Sequence, residues 1–270
     1  MAARQTDEFS ILAVDWSGAV HPQNKMWLAE VTGGALTELR GGWTRDSLVQ
    51  YLIERARTNP KFIIGLDFAF SMPLPFLDAR QITRVEELWH LVRMEGEDWL
   101  AGCEAPFWGR PGKRRPDAPE RWHFRQTELE VPRIAGIRPK SVFQIGGPGT
   151  VGTGSIRGMP HLLELQDAGF SIWPFDRAGW PKVIEIYPRL FTERLIKTSR
   201  TARNSYLMGY EWNQQLRASA VKSDDALDAA VSAVVMARHG PDLAELKQVP
   251  LGAAVLEGLI WHPAWARASA

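Results

Sequence analysis

Short apolar runs alternate along the chain with segments whose apolar residues recur at helical spacing. Residues 11–14 form the first run, which ends on Asp15-Trp16-Ser17-Gly18. A short apolar run bounded by turn residues predicts a buried strand, here with a carboxylate at its C-terminal end. Residues 26–31 and 35–39 predict two more strands, joined by Thr32-Gly33-Gly34, whose glycine pair suits a tight hairpin turn. Over 43–57, Leu48, Tyr51, Leu52 and Ala56 share one helical face, and Asn59-Pro60 ends the segment. Residues 61–66 are a second buried run, again ending on a carboxylate, Asp67.

From about 78 to 158 the pattern loosens. A helix is expected over 80–100, a loop over the Pro-, Gly- and Arg-rich residues 105–119, and a second loop over the glycine-rich residues 146–158. Regular order returns with a helix over 160–169 that stops on a glycine. Strands follow over 170–173 and 182–187, the latter carrying Glu185 and ending at Pro188, and then a helix over 190–196. The last clear element is a helix over 223–238, with Ser223 as N-cap and Gly240-Pro241 as its stop. Strands alternating with helices around buried runs predict an α/β fold, a mixed sheet flanked by helices. The chain, 1–270, is expected to be one domain with a helical and loop insertion or cap at about 78–158.

Composition narrows this picture without redirecting it. Hydrophobic residues make up 45% and charged residues 23%, the balance of a globular protein. The formal net charge of +1 argues neither for nor against an anionic partner. Cys103 is the one cysteine, so an intramolecular disulfide and a cysteine-based zinc site are both excluded. Residues 1–10 carry Asp7 and Glu8 and no apolar stretch of the signal-peptide kind, and no run is long enough to span a membrane. A cytoplasmic protein with no membrane partner is expected.

The candidate chemistry lies in the carboxylates. Asp15, Asp67 and Glu185 fall at or near the ends of apolar strands, the position at which open α/β sheets bind ligands. Each taken singly is equally well an ordinary strand-end turn residue. On the helix over 223–238, Leu227, Val231, Val234 and Val235 form an apolar stripe, with Asp228 at its edge and Asp225 one turn earlier on the same side. A carboxylate there is costly unless it is paired, hydrogen-bonded or bound to a metal, and a salt bridge to a nearby Arg or Lys is the alternative to ligation. Asp224 and Asp225 also fall in the first helical turn, where a negative charge complements the helix dipole. Carboxylates converging from several elements repel one another unless a cation intervenes, and such hard oxygen ligands suit Mg²⁺ or Mn²⁺.

These residues resemble the ribonuclease-H-like superfamily, which includes ribonuclease H and the Holliday-junction resolvases. Within it, the chain is similar to an uncharacterised group of predicted nucleases, the domain-of-unknown-function family 429. The resemblance rests on Val14-Asp15-Trp16-Ser17-Gly18-Ala19, Gly65-Leu66-Asp67-Phe68-Ala69-Phe70, Glu185-Ile186-Tyr187-Pro188 and Asp224-Asp225-Ala226-Leu227-Asp228-Ala229-Ala230. Ser141-Val142-Phe143-Gln144 and Gly158-Met159-Pro160 add to it. It implies a ribonuclease-H-like core, with Asp15 as the central first-strand ligand and Asp67 as the fourth-strand ligand. Asp225 and Asp228 match the resolvase-like Asp-x-x-Asp-Ala helix, and Glu185 matches the Glu-x-x-Pro of the uncharacterised group. Resolvases usually carry Glu on the fourth strand, where this chain has Asp67. The implied activity is metal-dependent cleavage of a phosphodiester in DNA or RNA. Asp15, Asp67 and Asp228 are the expected ligands of Mg²⁺ or Mn²⁺, and Asp225 and Glu185 are further candidate ligands, one of which could instead orient the water.

Substrate contacts are expected from the basic run Arg110, Lys113, Arg114 and Arg115, which has aromatic neighbours, and from Lys140 and Arg157 on either side of the glycine-rich loop. A solvated loop explains the basic run equally well, and the glycine-rich loop lacks the Lys-Ser/Thr of a phosphate-binding P-loop. The six histidines show no metal-ligand spacing. Two other readings stay open. One is a phosphoryl-transfer ATPase or kinase-like protein on the same core, suggested by Asp15-Trp16-Ser17-Gly18 and the glycine-rich loop. The other is a non-catalytic module that binds nucleic acid or protein.

Overall fold

The computed structural model describes residues 9–147, 149–249 and 252–263. Most of the segment read for a leader peptide, and Pro148 of the glycine-rich loop, lie outside the described residues. In chain order the elements are β1 (Ser10–Asp15), β2 (Trp27–Thr32), β3 (Ala35–Gly41), α1 (Arg45–Thr58), β4 (Phe62–Leu66), α2 (Leu74–Asp78), α3 (Val85–Gly102) and α4 (Gln126–Glu130). There follow α5 (Gly152–Asp167), β5 (Ser171–Ile172), β6 (Lys182–Glu185), α6 (Arg189–Thr192), α7 (Arg200–Leu207), α8 (Gln214–Lys222), α9 (Asp224–Arg238), α10 (Gly240–Ala244) and α11 (Ala254–Glu257). Among the described residues no helix is long and apolar enough to cross a membrane.

The strands form one mixed six-stranded sheet in the order β3-β2-β1-β4-β6-β5. β2 runs antiparallel to β1 and β3, whereas β1, β4, β6 and β5 are parallel. Gly33 and Gly34 close the β2–β3 hairpin with φ of 58° and 78°, a conformation that glycine adopts without strain. Val14 pairs with Leu66, and Leu66 pairs with Glu185, so the C-terminal ends of β1, β4 and β6 lie side by side.

Side chains alternate across this sheet. Leu12, Val14, Ile64 and Leu66 pack on one face with Leu48 and Leu52 of α1, Trp89 of α3 and Met159 and Leu162 of α5. Ile11, Ala13, Ile63 and Ile184 pack on the other with Leu227, Ala230, Val231 and Met236 of α9. Helices therefore cover both faces. The small side chains of α9 bring it close to the sheet: Ala226, Ala229, Ala230 and Ala233 are all buried, while Val234 and Val235 of the expected apolar stripe are only half-buried.

Several boundaries differ from the sequence expectation. The glycine-rich loop ends at Val151, and α5 starts at Gly152, eight residues before the expected start at Pro160. Low helix propensity is overridden there by packing. A Cβ at Gly158 would stand 2.7 Å from the Phe68 ring, and one at Gly152 would stand 2.2 Å from the Val142 carbonyl oxygen. α3 begins at Val85, not at 80, because Leu74–Asp78 forms a separate short helix. Of the stretch 78–158, the two ends, α3 and α5, pack against each other beneath the sheet, and the largely irregular part is 103–151. The helix expected over 190–196 stops at Thr192, where Glu193 takes a positive φ of 48°. α7 and α8, each N-capped by a side chain (Ser199 and Asn213), are two further helices where the sequence reading expects no element.

Candidate active site

The alternation of the sheet decides where each strand-end carboxylate points. Asp15 shares the parity of Ile11 and Ala13, and Asp67 that of Ile63, so both face α9. Glu185 shares the parity of Val183, which packs on the opposite face. α9 adds Asp225 and Asp228 from its first two turns, with the Ser223 hydroxyl accepting from the Ala226 N–H to cap the helix. Asp15, Asp67 and Asp225 line a cleft of about 620 Å³ at the C-terminal ends of the strands.

Burial and mutual repulsion mark this group as one electrostatic unit. The Asp15 carboxyl is held well above the ordinary range, first by burial and then by the charges of Asp67, Asp228 and Asp225. Asp67 is pushed up to about 8 by burial, with Asp228 and Glu185 adding to it. Asp225 rises to about 6 through burial and the adjacent Asp224. Asp228 is 7% exposed and is also raised by burial. The opposing charge shared by all four is Lys197, whose ammonium donates to Asp228 Oδ2 and draws the carboxyls back toward ionisation; Arg189 adds to it at Asp228 and Lys25 at Asp225. The salt bridge weighed as the alternative for Asp228 is therefore present. It leaves Asp228 Oδ1 buried with no hydrogen-bond partner, a state that costs free energy.

Carboxylate oxygens are the donors a hard divalent cation takes, and Asp228 Oδ1 has no other partner. The arrangement is nonetheless looser than the cluster expected from sequence. Among the described residues no three His, Cys, Asp or Glu side chains stand close enough to hold a metal ion as they are.

Glu185 reaches the cleft, but its oxygens are engaged. Arg125 Nη1 donates to Oε2 at 2.8 Å and Nη2 to Oε1 at 2.5 Å, and the Phe70 N–H donates to Oε2 at 3.0 Å. Arg125 is 1% exposed and also donates from Nε to Glu128 Oε1 at 3.0 Å. Burial works against the Arg125 charge, but Glu185 and Glu128 outweigh it and hold the guanidinium above its ordinary value. Glu128 is pushed up to about 7 by burial, against the pull of Arg125. Arg125 Nη1 further donates to the Glu257 carbonyl at 3.1 Å. The role expected for Glu185, ligand or water-orienting base, is thus replaced by that of an anchor, which fastens the irregular 103–151 segment and α11 to the end of β6.

The expected substrate contacts divide in the same way. Lys140 lines the cleft, as do Gly149, Thr150, Val151, Thr153 and Gly154 of the glycine-rich segment. Arg157 forks onto Glu97 at 2.6 and 2.8 Å and donates to the Gly18 carbonyl at 2.6 Å, so it braces the turn after β1. Arg110, Lys113, Arg114 and Arg115 are not among the lining residues. Arg110 donates to the Ala101 carbonyl, Lys113 pairs with Glu104, and Arg115 lies over Trp108 and Phe124, which ties most of the run to its own loop.

Lys25, Tyr187, Arg189 and Lys197 also line the cleft, and sequence reasoning missed all four as site residues. Tyr187 follows the Glu185 strand directly, and burial followed by the Asp67 charge pushes its phenol up to about 12, so it stays a hydrogen-bond donor at neutral pH. Comparison of the chain with family models, with curated proteins and with solved structures returned no match, so the site has to be read from its own residues.

Proposed function

We propose that this protein is a metal-dependent phosphodiesterase, a nuclease acting on DNA or RNA, built on a ribonuclease-H-like core. The observation that carries this reading is the mutual electrostatic repulsion of Asp15, Asp67 and Asp228, which come from two adjacent parallel strands and the helix over them. All three carboxyls are raised, and Asp228 Oδ1 is buried without a partner. Such a group stores repulsion that a divalent cation relieves. The fold part of the reading is supported by the mixed sheet with helices on both faces, and by carboxylates on the first strand, the fourth strand and the last long helix, as the resemblance implies.

Asp15, Asp67 and Asp228 would hold Mg²⁺ or Mn²⁺, with Asp225 at the edge of the set. An ion held there supplies Lewis-acid stabilisation of phosphoryl oxygens and a water that ionises near neutral pH. The chain's own groups do the rest. Lys140 and Lys25, both exposed at the cleft, offer positive charge to a phosphodiester. Tyr187 offers a phenol hydrogen, and Gly149, Thr150, Val151, Thr153 and Gly154 line the same cleft as the carboxylates.

The glycine-rich wall favours a second reading. Its residues lead into the N-terminus of the long helix α5, the end whose dipole favours an anion, as a phosphoryl-transfer ATPase would require. Incubation with Mg²⁺ or Mn²⁺ and a panel of single- and double-stranded DNA, RNA and branched junctions, beside ATP, tests both. Metal-dependent cleavage of nucleic acid supports the first reading. Saturable ATP binding without cleavage supports the second, and metal-independent binding of nucleic acid without turnover supports a binding module.

A further inference from the structure

Lys197 belongs to the loop 193–199 between α6 and α7, and the chain fixes its backbone with care. Arg189 Nη1 donates to the Glu193 and Leu195 carbonyls at 3.1 and 3.0 Å and shapes the turn that ends α6. Arg203 of α7 is 6% exposed and donates to the Lys197 carbonyl from Nη1. Its Nε and Nη2 donate to the Val221 carbonyl at 3.0 and 2.9 Å, just before the Ser223 cap of α9. One buried guanidinium therefore ties the Lys197 backbone to the entrance of the helix that carries Asp225 and Asp228. From that fixed point a flexible four-carbon stem places the ammonium on Asp228 Oδ2.

The side chain is held far less firmly than the backbone. The Lys197 ammonium has three donors, yet the bond to Asp228 is its one described side-chain hydrogen bond, and the residue is half-buried at the cleft wall. Of the positive charges near the group, it is the one that acts on all four carboxyls. It takes one Asp228 oxygen and leaves the other, Oδ1, unsatisfied.

We propose that Lys197 is the resident counter-cation of this carboxylate group, that it competes with the divalent ion for Asp228, and that it thereby sets the metal concentration at which the site loads. Displaced, the ammonium swings on its anchored backbone into the cleft. The inference rests on the metal-site reading above, and the experiment separates the two.

Full-length wild type and Lys197→Met are titrated with Mn²⁺ by calorimetry, and both are melted with and without Mn²⁺. Without metal, Lys197→Met melts below wild type, because buried Asp228 loses the counter-charge hydrogen-bonded to it. It binds Mn²⁺ about tenfold more tightly, and saturating Mn²⁺ closes the gap in melting temperature. In wild type, Mn²⁺ raises the reductive methylation of Lys197 read by mass spectrometry, a measurement that needs no variant. Binding by Lys197→Met alone also supports the inference. Equal or weaker Mn²⁺ binding by Lys197→Met, or Lys197 methylation indifferent to Mn²⁺ that does bind, overturns it and leaves the metal-site reading standing. If neither protein binds Mn²⁺, the metal-site reading falls and the inference falls with it.

Discussion

Lys197 donates to Oδ2 of Asp228, while Oδ1 of the same carboxylate is buried and meets no donor. The ammonium thus only partly neutralises a group of carboxyls that repel one another. Asp15, the most crowded of them, feels Asp67, Asp228 and Asp225 together. Asp15→Asn removes a charge from this group and keeps its shape. The metal-free variant should be more stable than wild type by about 1 kcal/mol, since function-bearing sites commonly cost stability of that order. Urea denaturation in the presence of a chelator measures it, and a clearly less stable variant would mean that the carboxyls are not in conflict.

The same crowding sets a pH dependence. Asp67 ordinarily ionises near 3.8 and is pushed up to about 8 in the folded protein. The folded state therefore holds a proton that the unfolded chain has released, and stability falls as pH rises. The Asp67 contribution is complete below about pH 4 and is lost as the pH climbs to about 8. Denaturation midpoints of the metal-free protein across this window should decline more steeply in wild type than in Asp67→Asn. Parallel slopes would remove Asp67 as the titrating group.

Glu185 and Arg125 are 2% and 1% exposed and joined by two hydrogen bonds. Glu185→Gln leaves a buried guanidinium short of charge and should cost about 3 kcal/mol. Replacing both partners, Glu185→Met with Arg125→Met, should recover part of that loss, because two desolvated charges are then absent. The folded Glu185→Gln protein should bind Mn²⁺ like wild type, as both Glu185 oxygens face the arginine. A large drop in Mn²⁺ affinity would restore Glu185 to the ligand set.

Gly18 closes the turn after Asp15 against the start of α5, where an added Cβ would lie 2.4 Å from the Gly154 nitrogen. That neighbour is backbone and has little freedom to give way. Gly18→Ala should cost about 2 kcal/mol and push the glycine-rich wall away from the carboxylates, which chemical denaturation and the apparent substrate KM together report. An unchanged KM would show that the spacing of the two walls does not govern binding.

The sheet was legible in the sequence because its strands are fully apolar runs, and the hairpin because Gly33-Gly34 admits a left-handed turn. The carboxylate group was legible for the same reason: Asp15 and Asp67 interrupt apolar runs at their ends, and Asp228 interrupts an alanine-rich helical face. What the runs did not reveal was the direction of Glu185. A count of alternate positions back along β6 to Val183 and Ile184 places it on the face opposite α9, provided that the packing of those two neighbours is known. The start of α5 was hidden because Gly152, Gly154 and Gly158 look like loop residues, whereas at Gly152 and Gly158 the lack of a Cβ permits close approach. Lys197 gave no signal at all. It lies in an irregular loop beyond the positive-φ residue Glu193, and only the tertiary path through Arg203 brings it to Asp228.

Wild type and Asp15→Asn assayed side by side for nucleic-acid cleavage with Mn²⁺, with Mn²⁺ binding measured on the same samples, decide whether Asp15 serves a metal-dependent nuclease. Wild type should cleave in a metal-dependent way, and the stably folded variant should lose cleavage and bind Mn²⁺ more weakly. Cleavage that survives Asp15→Asn, or a wild type that neither binds Mn²⁺ nor cleaves any member of the panel, would rule that role out.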